Sequence, residues 1–102
     1  MYSLLIVDDE KIERNGIKFL LKQTGIELEV HEACNGKDAI AFLEENKVDM
    51  LLTDIKMPFI DGMELLKSVS PLYPEMKCII FSGYSEFEYA KGAMRMGVKD
   101  YI

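Results

Sequence analysis

The chain has 102 residues, of which 49% are apolar and 29% charged, and its formal net charge is −6. This size and composition are typical of one globular domain, and the acidic balance argues against binding of a nucleic-acid backbone by this segment. No apolar stretch approaches the ~20 residues of a membrane span and no basic leader precedes a cleavage site, so we expect a soluble, cytoplasmic domain.

Strand-like and helix-like patterns alternate along the first half of the chain. The apolar run 3–7 predicts a first strand, and the helix after it should have one apolar face formed by Ile12, Ile17, Leu20 and Leu21. Glu10 and Glu13 near its start suit the positive end of the helix dipole, and Gly25 ends it. Residues 27–33 predict a second strand, Asn35-Gly36 a turn, and residues 38–46 a second helix.

The second half continues the same alternation. Residues 48–53 predict a third strand, 63–70 a helix that Asp61 can cap, and 77–81 a fourth strand. Ser85 and Glu88 form a capping box for a helix over 85–96, and residues 98–102 predict a fifth strand. With right-handed crossovers, this order makes a doubly wound parallel sheet with helices on both faces.

Two of the predicted strands run directly into aspartate. The first leads into Asp8-Asp9-Glu10 and the third into Asp54. Because ligands bind at the carboxyl ends of parallel strands, Asp8, Asp9 and Asp54 should lie together at one sheet edge. Carboxylates so close repel unless a cation joins them, and an oxygen-only site suits Mg²⁺. The alternative is that residues 8–10 only cap a helix, which leaves Asp54 unexplained.

Three motifs lie at the ends of the first, third and fourth predicted strands: Val7-Asp8-Asp9-Glu10, Asp54-Ile55-Lys56-Met57-Pro58 with Asp61-Gly62, and Phe81-Ser82-Gly83. In this order and spacing the chain resembles the receiver domain of two-component response regulators. The resemblance covers residues 1–102 and implies a flavodoxin-like fold with sheet order 2-1-3-4-5. The stretch 84–90 further resembles the subgroup that precedes AraC-type DNA-binding domains, which implies a transcriptional output domain outside this chain.

The resemblance also implies a function and a set of site residues. A sensor histidine kinase would transfer a phosphoryl group to Asp54, with Mg²⁺ as the cofactor. The implied metal ligands are Asp9, its partner Asp8, Asp54 and the backbone carbonyl of Lys56. Ser82 corresponds to the switch hydroxyl and Tyr101 to the switch aromatic. The domain would then be a signalling switch and not an enzyme, with catalysis limited to its own phosphorylation and dephosphorylation.

The chain departs from the family pattern at its end. That pattern continues with a lysine two residues beyond Ile102, which pairs with the phosphorylated aspartate, and then with a fifth helix. We therefore expect weak Mg²⁺ binding and poor phosphorylation or switching by this chain. Without the fifth helix, apolar sheet surface should be exposed, so self-association, for example as a homodimer, is also expected.

Two other functions remain open. One is a Mg²⁺-dependent phosphohydrolase with an aspartyl-phosphate intermediate, although such enzymes carry Asp-x-Asp after the first strand and usually a cap domain. The other is a receiver-like binding module that is not phosphorylated, which the intact acidic set argues against. Among the remaining residues, Cys34 and Cys78 are expected to be core thiols, and His31 should lie on the second strand away from the acidic residues.

Overall fold

The computed structural model describes residues 1–81 and 100–101 of the chain. Within them the elements are β1 Tyr2–Val7, α1 Lys11–Gln23, β2 Leu28–Ala33, α2 Gly36–Glu45, β3 Met50–Asp54, α3 Gly62–Val69, β4 Lys77–Phe81 and β5 Asp100–Tyr101. All neighbouring strands are parallel, and their order is β2-β1-β3-β4-β5. The predicted flavodoxin-like α/β fold is confirmed. The predicted helix 85–96 lies outside the described residues.

The sheet is covered on both faces, as its continuous apolar strands require. Successive residues of β1 point to opposite faces, and all of residues 4–7 are buried. On one face Leu5 and Val7 belong to a large core with α2 and α3. On the other, Leu4 and Ile6 form a smaller cluster with Ile17 of α1. On this second face Leu4, Ile6 and Leu52 are buried, whereas Tyr2, on the same side of β1, is 66% exposed. The self-association expected from bare apolar sheet surface stays a prediction.

The predicted apolar face of α1 is wrong in two of its four residues. Ile17 is buried and Leu21 is half-buried, but Ile12 is 84% exposed and Leu20 is 61% exposed. Five positions along a helix correspond to a rotation of roughly 140°, so Ile12 and Ile17 cannot contact the same surface. Helix α1 therefore contacts the sheet along a narrow strip. No helix in the described part of the chain is long and apolar enough to cross a membrane.

The starts of α2 and α3 are fixed by side-chain caps. Asp61 forms the predicted cap of α3 as a full capping box, accepting from the Glu64 N–H at 2.8 Å while Glu64 accepts from the Asp61 N–H at 3.2 Å. At α2 the predicted Asn35-Gly36 turn is wrong. Asn35 is the N-cap, accepting from the Asp38 N–H at 2.7 Å, and Gly36 is the first helical residue.

The two cysteines differ in environment. Cys78 is buried as predicted, but the prediction for Cys34 is wrong, because it lies just past β2 and is exposed. Its thiol donates to an Asp38 carboxylate oxygen at 3.2 Å. His31 lies on β2, where its ring contacts Glu29 at 3.1 Å and Phe42. Neither Cys34 nor His31 is part of the acidic group described below.

Gly62 brings the start of α3 against the end of β3. Its N–H donates to the Ile55 carbonyl at 2.7 Å. A Cβ atom at this position would lie 3.1 Å from the Ile55 Cα and in hard contact with the Asp54 carbonyl oxygen. Since both obstacles are backbone atoms, no side-chain rotation can relieve the clash.

Gly62→Ala should therefore lower the free energy of unfolding by about 1–3 kcal/mol, the usual range for overpacking. Gly16→Ala is the matched control, because Gly16 is exposed within α1 and has nothing within 4 Å of a built Cβ. That control should raise the free energy of unfolding by about 0.5–1 kcal/mol through helix propensity. Urea titrations followed by circular dichroism measure both values. Equal effects of the two substitutions would contradict this account of Gly62.

Candidate functional site

The carboxyl ends of β1 and β3 bring acidic residues together. The two strands pair directly, with Val7 opposite Thr53, so Asp8 and Asp54 are neighbours at the same sheet edge. Among the described residues, Asp8, Glu13 and Asp54 each offer a carboxylate oxygen, and these oxygens lie within 4.8 Å of one another. We call these three residues the acidic group.

Asp8 is the buried member of the acidic group, with 1% of its surface exposed. Its backbone is held on both sides, because its N–H donates to the Ala33 carbonyl at 3.1 Å and its carbonyl accepts from Arg14 Nη1 at 2.7 Å. Oδ1 accepts from the Glu10 N–H at 2.9 Å. Oδ2 is buried and has no hydrogen-bond partner among the described residues. Burial of an oxygen without a hydrogen-bond partner destabilises the folded state unless a cation or a donor contacts the oxygen.

Asp54 is half-buried and ends β3. Its Oδ1 accepts from the Ile55 N–H at 2.8 Å, and its carbonyl accepts from the Thr53 hydroxyl at 3.0 Å. Together with the close approach of Gly62, these contacts fix the position of the carboxylate. The second carboxylate oxygen is then the candidate nucleophile.

Glu13 is the member that the sequence did not assign to the site. It is exposed and belongs to the first turn of α1, which starts almost directly after Asp8. The sequence indicated it only as an acid suited to the helix dipole. The available signal was spacing, since a first-turn residue of a helix that begins at a strand end can reach the same sheet edge.

The other predicted site residues are placed as follows. Asp9 is exposed and is not one of the three acids whose oxygens lie within 4.8 Å of one another. Lys56 is exposed two residues after Asp54. Ser82 lies outside the described residues, and Tyr101 is described only as the β5 residue that pairs with Ile80. The roles of these four residues stay predictions.

The carboxyls of Asp8 and Asp54 both have raised pKa values, so they hold their protons more tightly than usual. Burial is the main cause, and it raises the pKa of Asp54 to about 6, with a further contribution from the charge of Asp8. Burial, followed by the Glu13 carboxyl beside it, raises the pKa of Asp8 to about 7. Two unit charges about 5 Å apart repel by roughly 3 kcal/mol at an effective dielectric constant of about 20. A divalent cation would reverse this repulsion, and a set of carboxylate oxygens fits Mg²⁺.

Comparison with known proteins identifies the family. The sequence pattern of the response regulator receiver domain matches residues 4–102. The chain belongs to this family. It is 40% identical to the uncharacterized transcriptional regulatory protein YesN of Bacillus subtilis and 31% identical to the transcriptional regulatory protein HptR of Staphylococcus aureus, over its whole length. It spans only 28% and 40% of those two proteins, so the receiver domain is one part of each.

Solved structures agree with the family and the fold. A receiver domain from Clostridium thermocellum is 34% identical, with a TM-score of 0.87 over all of this chain and 81% of that one. A two-component transcriptional regulator AraC from Clostridium phytofermentans is 33% identical, with a TM-score of 0.83 over all of this chain and 78% of that one. These relatives confirm the resemblance to receivers of transcriptional regulators.

The raised pKa values predict how the stability of the metal-free receiver domain depends on pH. In the unfolded chain Asp8 and Asp54 titrate near 3.8, and in the folded chain near 7 and 6. The stability that these groups contribute is complete below the unfolded pKa and is lost as pH rises through the folded pKa. The free energy of unfolding in EDTA should therefore include a component that falls between about pH 4 and pH 7.

Asp8→Asn tests the source of that fall. Asparagine keeps an oxygen that can accept from the Glu10 N–H but cannot ionise, so a large part of the fall should disappear. Asp38→Asn, outside the acidic group, is the control and should leave the fall in place. Urea titrations at intervals of pH measure both profiles. An unchanged profile in Asp8→Asn would show that the acidic group is not its cause.

Proposed function

We propose that this receiver domain is a phospho-accepting switch in which Asp54 takes a phosphoryl group from a phosphohistidine of a sensor histidine kinase. The observation that carries the proposal is the Asp54 carboxylate, which is fixed by the Ile55 N–H and lies beside Asp8, a buried acid with one unpartnered oxygen among the described residues. One acid is positioned as a nucleophile, and its neighbour needs a cation. This combination suits transfer of an anionic group.

The chain's own residues account for positioning in this step. The bond between phosphorus and the kinase imidazole nitrogen breaks as a bond to the Asp54 oxygen forms, and the nitrogen keeps the electron pair. Little covalent work falls to the protein, because catalysis of phosphoryl transfer is mainly alignment and charge stabilisation. The contacts of Ile55, Thr53 and Gly62 supply the alignment of the acceptor.

Charge stabilisation requires a divalent cation. Mg²⁺ would be held by the carboxylates of Asp8, Asp9 and Asp54 and by the Lys56 carbonyl, and when bound it neutralises charge on the transferred group. The fit is supported by the acidic group and by the unpartnered oxygen of Asp8. It is also supported by the response regulator TrrA of Thermotoga maritima, 27% identical with a TM-score of 0.87 over all of this chain and 85% of that one, which was solved in complex with Mg²⁺ and BeF.

The switch itself would run along the neighbouring strands. Phe81 pairs with Asp54 in the sheet, so Ser82 follows the residue directly opposite the acceptor. The Ser82 hydroxyl would bond to the phosphoryl group, and Tyr101 on β5 would move with it. The change would reach a transcriptional output domain, since the longer relatives are transcriptional regulatory proteins. We place the domain in the cytoplasm.

Mass spectrometry after incubation with Mg²⁺ and a small phosphodonor such as an acyl phosphate tests the proposal. The wild-type chain should gain one phosphoryl group, slowly, in line with the poor phosphorylation expected of it, and Asp54→Asn should gain none, because the amide cannot act as the nucleophile. Asp38→Asn removes an acid outside the acidic group and should still be modified. Omitting Mg²⁺ or adding EDTA should reduce the modification by at least about tenfold.

The other outcomes separate the competing functions. Continued release of many equivalents of phosphate from an external substrate would favour the phosphohydrolase. Absence of modification in the wild-type chain, even after long incubation at high Mg²⁺ and phosphodonor concentrations, would favour the unphosphorylated binding module. Modification that persists in Asp54→Asn would contradict the assigned acceptor.

A further inference from the structure

Helices α1 and α3 both carry glutamate as their third residue, but the two side chains are used differently. In α3, Glu64 reaches back to the N–H of the N-cap Asp61 at 3.2 Å. This is the usual role of a glutamate at that position. In α1, the N-cap Glu10 donates its N–H to Asp8 at 2.9 Å instead. Asp8 has therefore taken the partner that Glu13 would bind in a capping box.

The Glu13 carboxylate is instead a member of the acidic group. Its oxygen lies within 4.8 Å of those of Asp8 and Asp54. Two cations of the same helix are engaged elsewhere, because Arg14 binds Glu32 at 2.9 Å and the Asp8 carbonyl at 2.7 Å, and Lys18 binds Glu32 at 2.8 Å. Glu13 thus lies close to two other carboxylates, while Arg14 and Lys18 are directed toward β2.

A second observation indicates that a ligand belongs between these carboxylates. Asp8 is 1% exposed, and its Oδ2 has no hydrogen-bond partner among the described residues. Another carboxylate cannot satisfy this oxygen unless it is protonated, whereas a cation can satisfy all three acids at once.

We propose that Glu13 supplies a carboxylate oxygen to the Mg²⁺ of this receiver domain. The inference rests on the proposed metal site and adds a ligand from the first turn of α1 to those at the strand ends. Glu13 thereby raises the affinity of the domain for the ion. In the described geometry it belongs to the acidic group, whereas Asp9 lies outside that group.

Mg²⁺ titration of the wild-type chain and of Glu13→Gln by isothermal calorimetry tests the proposal. The substitution removes one negative charge and keeps the size of the side chain. The dissociation constant should rise roughly tenfold, the scale found when metal-site residues are altered. Glu10→Gln is the matched control, since it removes the same charge from an exposed residue three positions away. It should change the dissociation constant less than about twofold, because its carboxylate is not a member of the acidic group and acts on the ion only through solvent-screened charge.

The melting temperature, measured with and without Mg²⁺, gives a second test. Metal-free Glu13→Gln should melt at or above the wild-type temperature, because one of three repelling carboxylates is gone, and saturating Mg²⁺ should raise its melting temperature less than that of the wild type. A role in capping alone would leave Mg²⁺ affinity unchanged.

Three results would overturn the inference. If the wild type binds Mg²⁺ and is phosphorylated on Asp54 while Glu13→Gln binds the ion equally well, Glu13 is not a ligand and the proposed function stands. If Glu10→Gln and Glu13→Gln weaken binding to the same extent, the effect is one of net charge only. If the wild-type chain binds no Mg²⁺, both the inference and the proposed metal dependence are wrong.

Discussion

The functional edge of this domain depends on one constraint, the burial of an aspartate beside two other carboxylates. Asp8 is held there by backbone contacts to Ala33 and Arg14, so it cannot swing out to solvent without disrupting the start of α1. Without a cation the edge is electrostatically unfavourable, and the carboxyls respond by holding their protons. The fold thus maintains a local instability that a bound divalent ion would remove. Binding of the ion and ionisation of the carboxyls would thereby be coupled, because each favours the other.

Much of the fold could be predicted from the sequence because its strands are short apolar runs with polar ends. The runs at 3–7 and 77–81 gave their strands within a residue, and Asp61 marked the start of α3. The errors have local causes. The Asn35-Gly36 pair is a common turn signal, but the Asn35 side chain can also cap a helix, and it does so at α2. Leu20 was assigned to the core because apolar residues along α1 outnumber the positions that reach the sheet.

The sequence predicts those site residues that lie directly at the ends of strands. Asp8 and Asp54 could be placed together because β1 and β3 are neighbours in a parallel sheet. Glu13 could not be placed with them from the sequence. The Glu10 N–H can bond either to Asp8 or, as in a capping box, to Glu13, and the sequence spacing permits both. The sequence also does not show which of the adjacent Asp8 and Asp9 is buried. Their burial depends on the direction in which β1 ends, which only the structure shows.

The close packing around Gly62 has a consequence for reaction kinetics. Asp54 is clamped by its own neighbours in sequence and by the start of α3, which leaves its backbone little freedom. In the proposed transfer, an arriving phosphoryl donor would meet an oxygen whose direction was set when the chain folded. The entropy lost in aligning the two partners would fall mainly on the incoming molecule, because the acceptor is already in position. A glycine with no side chain would thus contribute to the reactivity of the proposed acceptor.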